Sequence, residues 1–504
     1  MTAQLALKTP SSATNTSEHR LDHNNEVTFL HLRHKKILFV TSEMADFVKA
    51  GGLGDVSSSL PRALKSECDI RVLIPGYYSV IKNRKFNIIG YTAPHAQLPG
   101  CHIGHLQQSD GLDIYVVLCP ELFEREGSPY GDLDGKDWSD NARRFATLSY
   151  VAACIANGQA HMKWKPMLLH LNDWPAALAA SYVKWMGGST PSLLTIHNLA
   201  YQGVFSSSLH GDLGIPPNMP HLNFFGHSSF LKAGIMDSDW LNTVSMSYAQ
   251  QITRPEHGCG LNEVLVERKN QGRLKGILNG IDSSWDPQND PHLHSHFGPG
   301  KNEQKHRICS LLRKEWKLFP SKGPIFAVIS RLVHQKGVDL ICEVAPQLVS
   351  AGGQLIIMGG GEAAIEKSVQ NLAQQYPAHI RAYIGFNESA ARRIFAGSDF
   401  LLMPSRFEPC GLSQLYAQRF GCLPIAHATG GLMDTVDDGV TGLLFNDPSA
   451  EGLRNALARA LRIFERPNLL YAMRYAAMLK PSGWDLAAHA YLDLYQTIIQ
   501  HPHS

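Results

Sequence analysis

Short apolar runs alternate with longer amphipathic stretches along most of this chain. The runs cover residues 37–40, 70–74, 114–118, 167–169 and 193–196 in the first half, and 325–329, 355–358, 400–403 and 423–425 in the second. Runs of this length without polar alternation predict strands buried on both faces, and helices between them predict parallel sheets. Polar residues gather just past the runs: Ser42 and Glu43, Asn172 and Asp173, His197 and Asn198, Ser330 and Arg331, and Glu408. In open α/β sheets that edge is where ligands bind. One long internal stretch, from residue 285 to 302, is rich in Pro, Gly, His and Asn and has no apolar periodicity, so the division of the chain falls there. The expected layout is a loosely attached tail over 1–34, a Rossmann-like domain over 35–285 and a linker over 286–304. A second Rossmann-like domain follows over 305–483, and an amphipathic helix over 484–504 packs back across the domains. Two such domains face each other across a cleft that closes on a hinge and excludes water.

Composition narrows the class. At 504 residues the chain exceeds one ordinary core, and 44% hydrophobic with 18% charged residues is globular. The formal charge of +2 argues against a nucleic-acid partner held by a bulk basic field, though not against local anion sites. Nine scattered cysteines without CxxC spacing indicate reduced thiols in a cytoplasmic protein, with neither a zinc site nor a disulfide framework. No apolar run reaches membrane-spanning length. The first 34 residues lack a hydrophobic signal core, and Glu18, Asp22 and Glu26 count against an organelle-targeting peptide.

The strongest candidate chemistry lies at residues 403–416. An apolar run ends in Arg406 and Glu408, and a helix opens at Gly411, Leu412 and Ser413. Helix-start amides suit phosphate, and a carboxylate suits sugar hydroxyls. Alone, this corner also reads as an ordinary strand–loop–helix junction capped by Ser. It gains weight from Arg331 and Lys336, two fixed cations just past the 325–329 run, able to neutralise a departing diphosphate. Near the start, Lys49, Gly51, Gly52 and Asp55 form a glycine-rich turn before a helical pattern. Its spacing is neither GxGxxG nor GxxxxGK[ST], which lowers the NAD and P-loop readings. Thr429–Thr435 adds a further glycine turn. In the first half His170, Asn172, Asp173, Trp174, His197, Asn198 and Gln202 combine hydroxyl-binding groups with aromatic faces, as a sugar site would; His170 also fits a satisfied core histidine.

In order and with matching spacing, several segments resemble the bacterial glycogen synthase and plant starch synthase family. They are Lys49–Leu53, Thr195–Gly203, Phe230–Gly234, Leu278–Asp282, Ser330–Leu332, Gln335–Gly337, Arg406–Leu412 and Thr429–Leu432. The resemblance runs from about residue 36 to 495. It implies a GT-B fold and retaining transfer of glucose from ADP-glucose to the non-reducing end of an α-1,4-glucan such as glycogen, without metal or other cofactor. It also implies roles: Lys49, Gly51, Gly52 and Asp55 contact the nucleotide sugar, Arg331, Lys336 and the helix start at Gly411, Leu412 and Ser413 hold the diphosphate, and Cys410 belongs to the substrate site. Phe386 stacks on adenine, while Asp173, His197, Asn198, Asn279 and Glu408 surround the glucosyl ring. Departures from the family's pattern are Asn172 and Pro175 for flanking histidines, Asn223 for Glu and Met246 for Pro; Tyr416 stands where the wider superfamily has a second Glu. The alternatives are a retaining transferase with another donor or acceptor, and a glucan-binding paralogue without activity. Oligomeric state is left open.

Overall fold

The computed structural model describes residues 35–501; the tail expected over 1–34 lies outside them. The first lobe is built on a nine-stranded sheet. Its strands lie in the order Leu274–Gly276, Trp240–Thr243, Ser192–Ile196, Leu168–Asn172, Lys36–Val40, Asp69–Pro75, Asp113–Leu118, Cys101–Gln107, Asn87–Thr92. The first seven run parallel, and the last two join by antiparallel pairing. Central strands such as Leu168–Asn172 and Ser192–Ile196 are buried throughout because helices cover both faces.

The second lobe carries six parallel strands, ordered Ile380–Ile384, Gln354–Gly359, Ile325–Ile329, Phe400–Met403, Leu423–His427, Leu443–Phe445. In chain order that is 3-2-1-4-5-6, the doubly wound arrangement. Building direction reverses between Ile325–Ile329 and Phe400–Met403. In the first lobe it reverses between Lys36–Val40 and Leu168–Asn172. In such sheets the ligand crevice lies past the strand ends at the reversal, and the residues described below gather at these two places.

The parallel α/β class expected from the apolar runs is what the chain adopts, and every run became a strand. Six strands of these two sheets gave no such run. Ile380–Ile384 carries Arg381 and Tyr383 among its apolar residues, Asn87–Thr92 lies at a sheet edge with exposed positions, and Leu274–Gly276 is three residues long. Trp240–Thr243, Cys101–Gln107 and Leu443–Phe445 are likewise short or mixed in polarity. Four of the six, Leu274–Gly276, Asn87–Thr92, Ile380–Ile384 and Leu443–Phe445, are edge strands, whose pattern alternates or breaks because less of them is covered.

Between the lobes, the chain after Asp282 is irregular but packed on the second lobe. Trp285 stacks on Tyr416 with ring centroids 3.7 Å apart, Arg392 pairs with buried Asp290 at 2.8 Å, and Leu293 and Phe297 are buried. The terminal helix Trp484–Gln500 returns to the first lobe and buries Trp484, Tyr491 and Tyr495 there. Where the chain crosses twice, Ile281 N donates to Ser482 O at 2.7 Å, so the two crossings run side by side. Among the described residues no helix is long and apolar enough to cross a membrane.

Candidate active site between the lobes

The first crevice is organised by Glu43, at the end of strand Lys36–Val40. Its Oε2 accepts from Ala50 N at 2.7 Å and Gly51 N at 2.9 Å, and its Oε1 accepts from the Tyr130 hydroxyl at 2.7 Å. These bonds fold residues 44–51 back over the strand ends. Lys49 then reaches Asp55 Oδ1 at 2.7 Å and lies 5.9 Å from the Phe386 ring of the other lobe. Burial holds the Asp55 carboxyl above its ordinary range even though Lys49 opposes the shift. A Cβ at Gly51 or Gly52 would meet no heavy atom within 4 Å, so this turn presents open backbone at the start of helix Gly52–Leu64.

Across the reversal, Asp173 opens helix Asp173–Trp185 with φ at +54°, a conformation that costs a non-glycine residue energy. Its Oδ1 accepts from His197 N at 2.7 Å and Asn198 N at 3.4 Å. Burial raises its carboxyl to about 7 against the pull of those two amides. The His197 imidazole is pushed down to about 3 by burial, so it is neutral. Asn172 gives its amide hydrogens to Val40 O at 3.0 Å, and its oxygen accepts from His197 Nε2 at 3.0 Å. That fixes the ring and leaves Nδ1 as an acceptor.

In the second crevice Lys336 Nζ donates to Glu408 Oε2 at 2.5 Å, and Ser405 Oγ donates to the same oxygen at 3.0 Å. Glu408 is 5% exposed. Gly337 follows Lys336 with φ at +67°, and a Cβ there would lie 2.1 Å from Pro404 O, so only glycine lets the Lys336 turn pack against the Glu408 loop. Gly430 is held the same way, a Cβ falling 1.9 Å from Glu408 O. Arg331 reaches across the cleft, its Nη1 donating to the Tyr201 hydroxyl at 3.2 Å, and its Nη2 to Gln335 at 3.3 Å. Phe386 is 61% exposed. Asn279 is buried, its backbone amide bonded to the Cys410 thiol and its Oδ1 unpartnered within the protein; burial lifts that thiol to about 12.

The family description "Starch synthase catalytic domain" matches residues 36–267, and "Glycosyl transferases group 1" matches residues 313–475. A glycogen synthase of Xanthomonas oryzae pv. oryzae is 61% identical over 462 residues, covering 91% of this chain and 91% of its own length. The chain belongs to the glycogen and starch synthase family. A glycogen synthase of Pseudomonas syringae pv. syringae is 51% identical over 473 residues, 93% of this chain and 98% of that protein. The catalytic domain of starch synthase IV from Arabidopsis thaliana, solved bound to ADP and acarbose, superposes with a TM-score of 0.82. It is 29% identical and covers 93% of this chain and 100% of that one. Sucrose-phosphate synthase from Thermosynechococcus elongatus, at 16% identity and TM-score 0.58, shares the fold. This member of the family is a glycosyltransferase.

Within this synthase-family fold the residues singled out from sequence fall into four contacting groups. These are Lys49 with Asp55 and Phe386; Asp173 with His197 and Asn198; Lys336 with Glu408; and Asn279 with Cys410. Others point elsewhere. Ser413 does not cap its helix: helix Ser413–Arg419 begins at Ser413, whose hydroxyl donates to Ile329 O at 3.3 Å. His170 is a core residue, bonded to Tyr495 Oη at 2.6 Å and Thr195 Oγ1 at 2.7 Å. Gln202 donates to Cys259 O at 2.8 Å. Sequence reading missed the organising role of Glu43 and its partner Tyr130. It also missed the contacts that join the lobes: Ser245 Oγ to Pro409 O at 2.6 Å, Ser247 to Asp434 at 2.6 and 2.8 Å, and Gly430 N to Gln251 Oε1 at 3.1 Å. Partners separated by 87 to 187 positions leave no local signal. Of the departures from the family's pattern, Asn223 closes its own turn through Gly226 N at 3.1 Å, and Met246 is exposed at the first position of helix Met246–Gln251.

Proposed function

We propose that this protein is a glycogen synthase, which transfers glucose from ADP-glucose to the non-reducing end of an α-1,4-glucan with retention of configuration, in the cytoplasm. The observation that carries this reading is the Lys336–Glu408 pair at the second crevice, with Arg331 beside it reaching into the cleft. A glucan-binding module has no use for fixed cations at a doubly wound crevice; a nucleoside diphosphate does.

In this mechanism Lys49 and the open Gly51–Gly52 backbone meet the nucleotide sugar from one side. Asp55 steers Lys49, and the exposed Phe386 ring receives adenine. The diphosphate lies against Arg331, Lys336 and the Cys410–Gly411–Leu412–Ser413 turn. Glu408 orients the Lys336 ammonium, so that positive charge is in place where negative charge grows on the leaving group, without reorganisation at the moment of reaction. The glucosyl ring sits against His197, Asn198, Asp173 and Asn279, whose hydrogen-bonding groups read hydroxyls. The C1–O bond breaks toward the diphosphate and gives an oxocarbenium-like ring. The acceptor hydroxyl attacks from the same face and passes its proton to the departing phosphate. Glu408 positions and stabilises rather than attacks in this reading, in keeping with its Oε2 accepting from both Lys336 and Ser405.

The test is purified protein with ADP-glucose or UDP-glucose and glycogen, following released nucleotide and the anomeric configuration of the new linkage by NMR. Release from ADP-glucose with an α-linked product is expected. Release from neither donor would favour a binding module, and preference for UDP-glucose would overturn the donor assignment.

A further inference from the structure

We propose that the second lobe holds a single halide-sized anion, chloride in the cell, between Lys305 and Arg474 at the edge of its sheet opposite the cleft. Three strands of that sheet start here: Asp399 N donates to Ile325 O at 2.8 Å, and Leu423 N donates to Asp399 O at 2.9 Å. Lys305, on helix Asn302–Glu315, is 2% exposed, and its ammonium donates to Phe395 O at 3.2 Å and Phe420 O at 2.9 Å. One of its three N–H donors remains. Arg474, on helix Pro467–Leu479, is also 2% exposed. It reaches the Asp399 carboxylate through Nη2, while its Nε and Nη1 are buried without a partner within the protein.

Charge and donor count agree. Two buried cations face one carboxylate, whose second oxygen is used by Ile325 N at 2.8 Å; burial lowers the Lys305 ammonium only to about 8, so most of it keeps its charge at neutral pH. Cys309 and Cys422, both beside Lys305, are lifted to about 11 and about 12 by burial, so they stay thiols and neutralise nothing. His306 is pulled down by burial, and Arg313 adds further positive charge. An unpaired buried charge and unmade buried hydrogen bonds are both costly. Lys305 and Arg474 both line a cavity of about 10 Å³, walled also by Gly421, Met478 and residues of the 297–302 segment after the lobe crossing.

The cavity has room for roughly one water-sized sphere, too little for a phosphate or sulfate tetrahedron. A water could pass its hydrogens to the second lone pairs of the Phe395 and Phe420 carbonyls, but it would leave the excess positive charge uncompensated. A monatomic anion accepts from every donor present and balances the charge. Bound there, it ties the inter-lobe segment to the helix that carries Arg474.

Two measurements on the wild-type protein test this. Crystals soaked in bromide should show an anomalous peak within hydrogen-bond distance of Arg474 Nε or Nη1 and Lys305 Nζ. The melting temperature in potassium chloride should exceed that in potassium gluconate of equal ionic strength by roughly 2–5 °C, saturating with concentration. Lys305→Met removes one cation and should abolish that difference; if it does not fold, the wild-type pair decides. Absence of a bromide peak overturns the site. A peak with identical melting curves in the two salts makes it an adventitious ion only, and that overturns the proposal too.

Discussion

The two lobes share an architecture and differ in how they treat charge. Each places its functional residues past the strand ends where sheet building reverses. In the first lobe those groups are spent on the protein's own backbone: Glu43 on Ala50 and Gly51, Asp173 on His197 and Asn198. Burial drives Asp173 up and His197 down, toward their neutral forms. In the second lobe Lys336 and Glu408 form an ion pair with Arg331 next to it. One topology therefore supplies a hydrogen-bonding wall on one side and an electrostatic one on the other. The fold sets where a ligand sits, and the residues at the reversal set which part of it each lobe holds.

The sharpest way to break this contrast is to remove the charge. Lys336→Ala should lower kcat about 10²- to 10³-fold in the nucleotide-release assay, the cost of losing a preorganised charge contact. It also strands Glu408 in a buried position and should lower the melting temperature. Combining Lys336→Met with Glu408→Gln should recover much of that stability and none of the activity. Near-normal turnover in either variant would reject the electrostatic role of this lobe.

Removing charge from the other lobe should cost less and change the pH response. Asp173→Asn keeps a side chain that tolerates positive φ and should reduce kcat about 10- to 100-fold through mispositioning of His197 and Asn198. The folded carboxyl is raised from 3.8 to about 7, so between those values the native state binds more protons than the unfolded chain. Its contribution is full below 3.8 and is lost as pH rises through about 7. Asp173→Asn should therefore gain melting temperature relative to wild type as pH rises from about 4 to about 7. A pH-independent difference would show that Asp173 ionises as an ordinary surface acid. His197 works in the opposite direction, lowering stability as pH falls from 6.5 through about 3, so wild type alone shows a mixture of the two.

Much of the second lobe's site could be read locally. Arg331, Lys336 and Glu408 follow continuous buried strands, and strand ends are where chemistry collects in this class of sheet. The first lobe was less legible. Glu43 is held in place by a hydroxyl 87 positions away, and the protonation of Asp173 and His197 depends on burial that no local pattern encodes. The amphipathic pattern expected over residues 484–504 predicted a packed helix, but only the tertiary contacts of Tyr491 and Tyr495 assign it to the first lobe's core. Ser413 shows the reverse failure: its residue type suits a helix cap, yet the hydroxyl is drawn to the Ile329 carbonyl of the adjoining strand.

Phe386 bridges the comparison, because it belongs to the second lobe and faces Lys49 of the first at 5.9 Å. Phe386→Ala should raise the KM for the donor roughly 2- to 10-fold, in line with the loss of an aromatic contact, and leave kcat nearly unchanged. A large fall in kcat with constant KM would instead make the ring part of lobe closure.

The smallest expected effect is at Met246, where the family's pattern has Pro. The residue is the first of helix Met246–Gln251, and its side chain is 54% exposed. An N–H at that position has no partner within the helix, so proline removes nothing. Ser245 before it is extended, with φ −166° and ψ 158°, the conformation a residue preceding proline prefers. Ser245 also caps the helix through Tyr248 N and donates across the lobes to Pro409 O at 2.6 Å. Met246→Pro narrows the unfolded ensemble without disturbing either bond, and it should raise the melting temperature by roughly 1–3 °C with turnover unchanged. If turnover falls while stability rises, the lobe joint needs freedom at this position, and methionine serves that need.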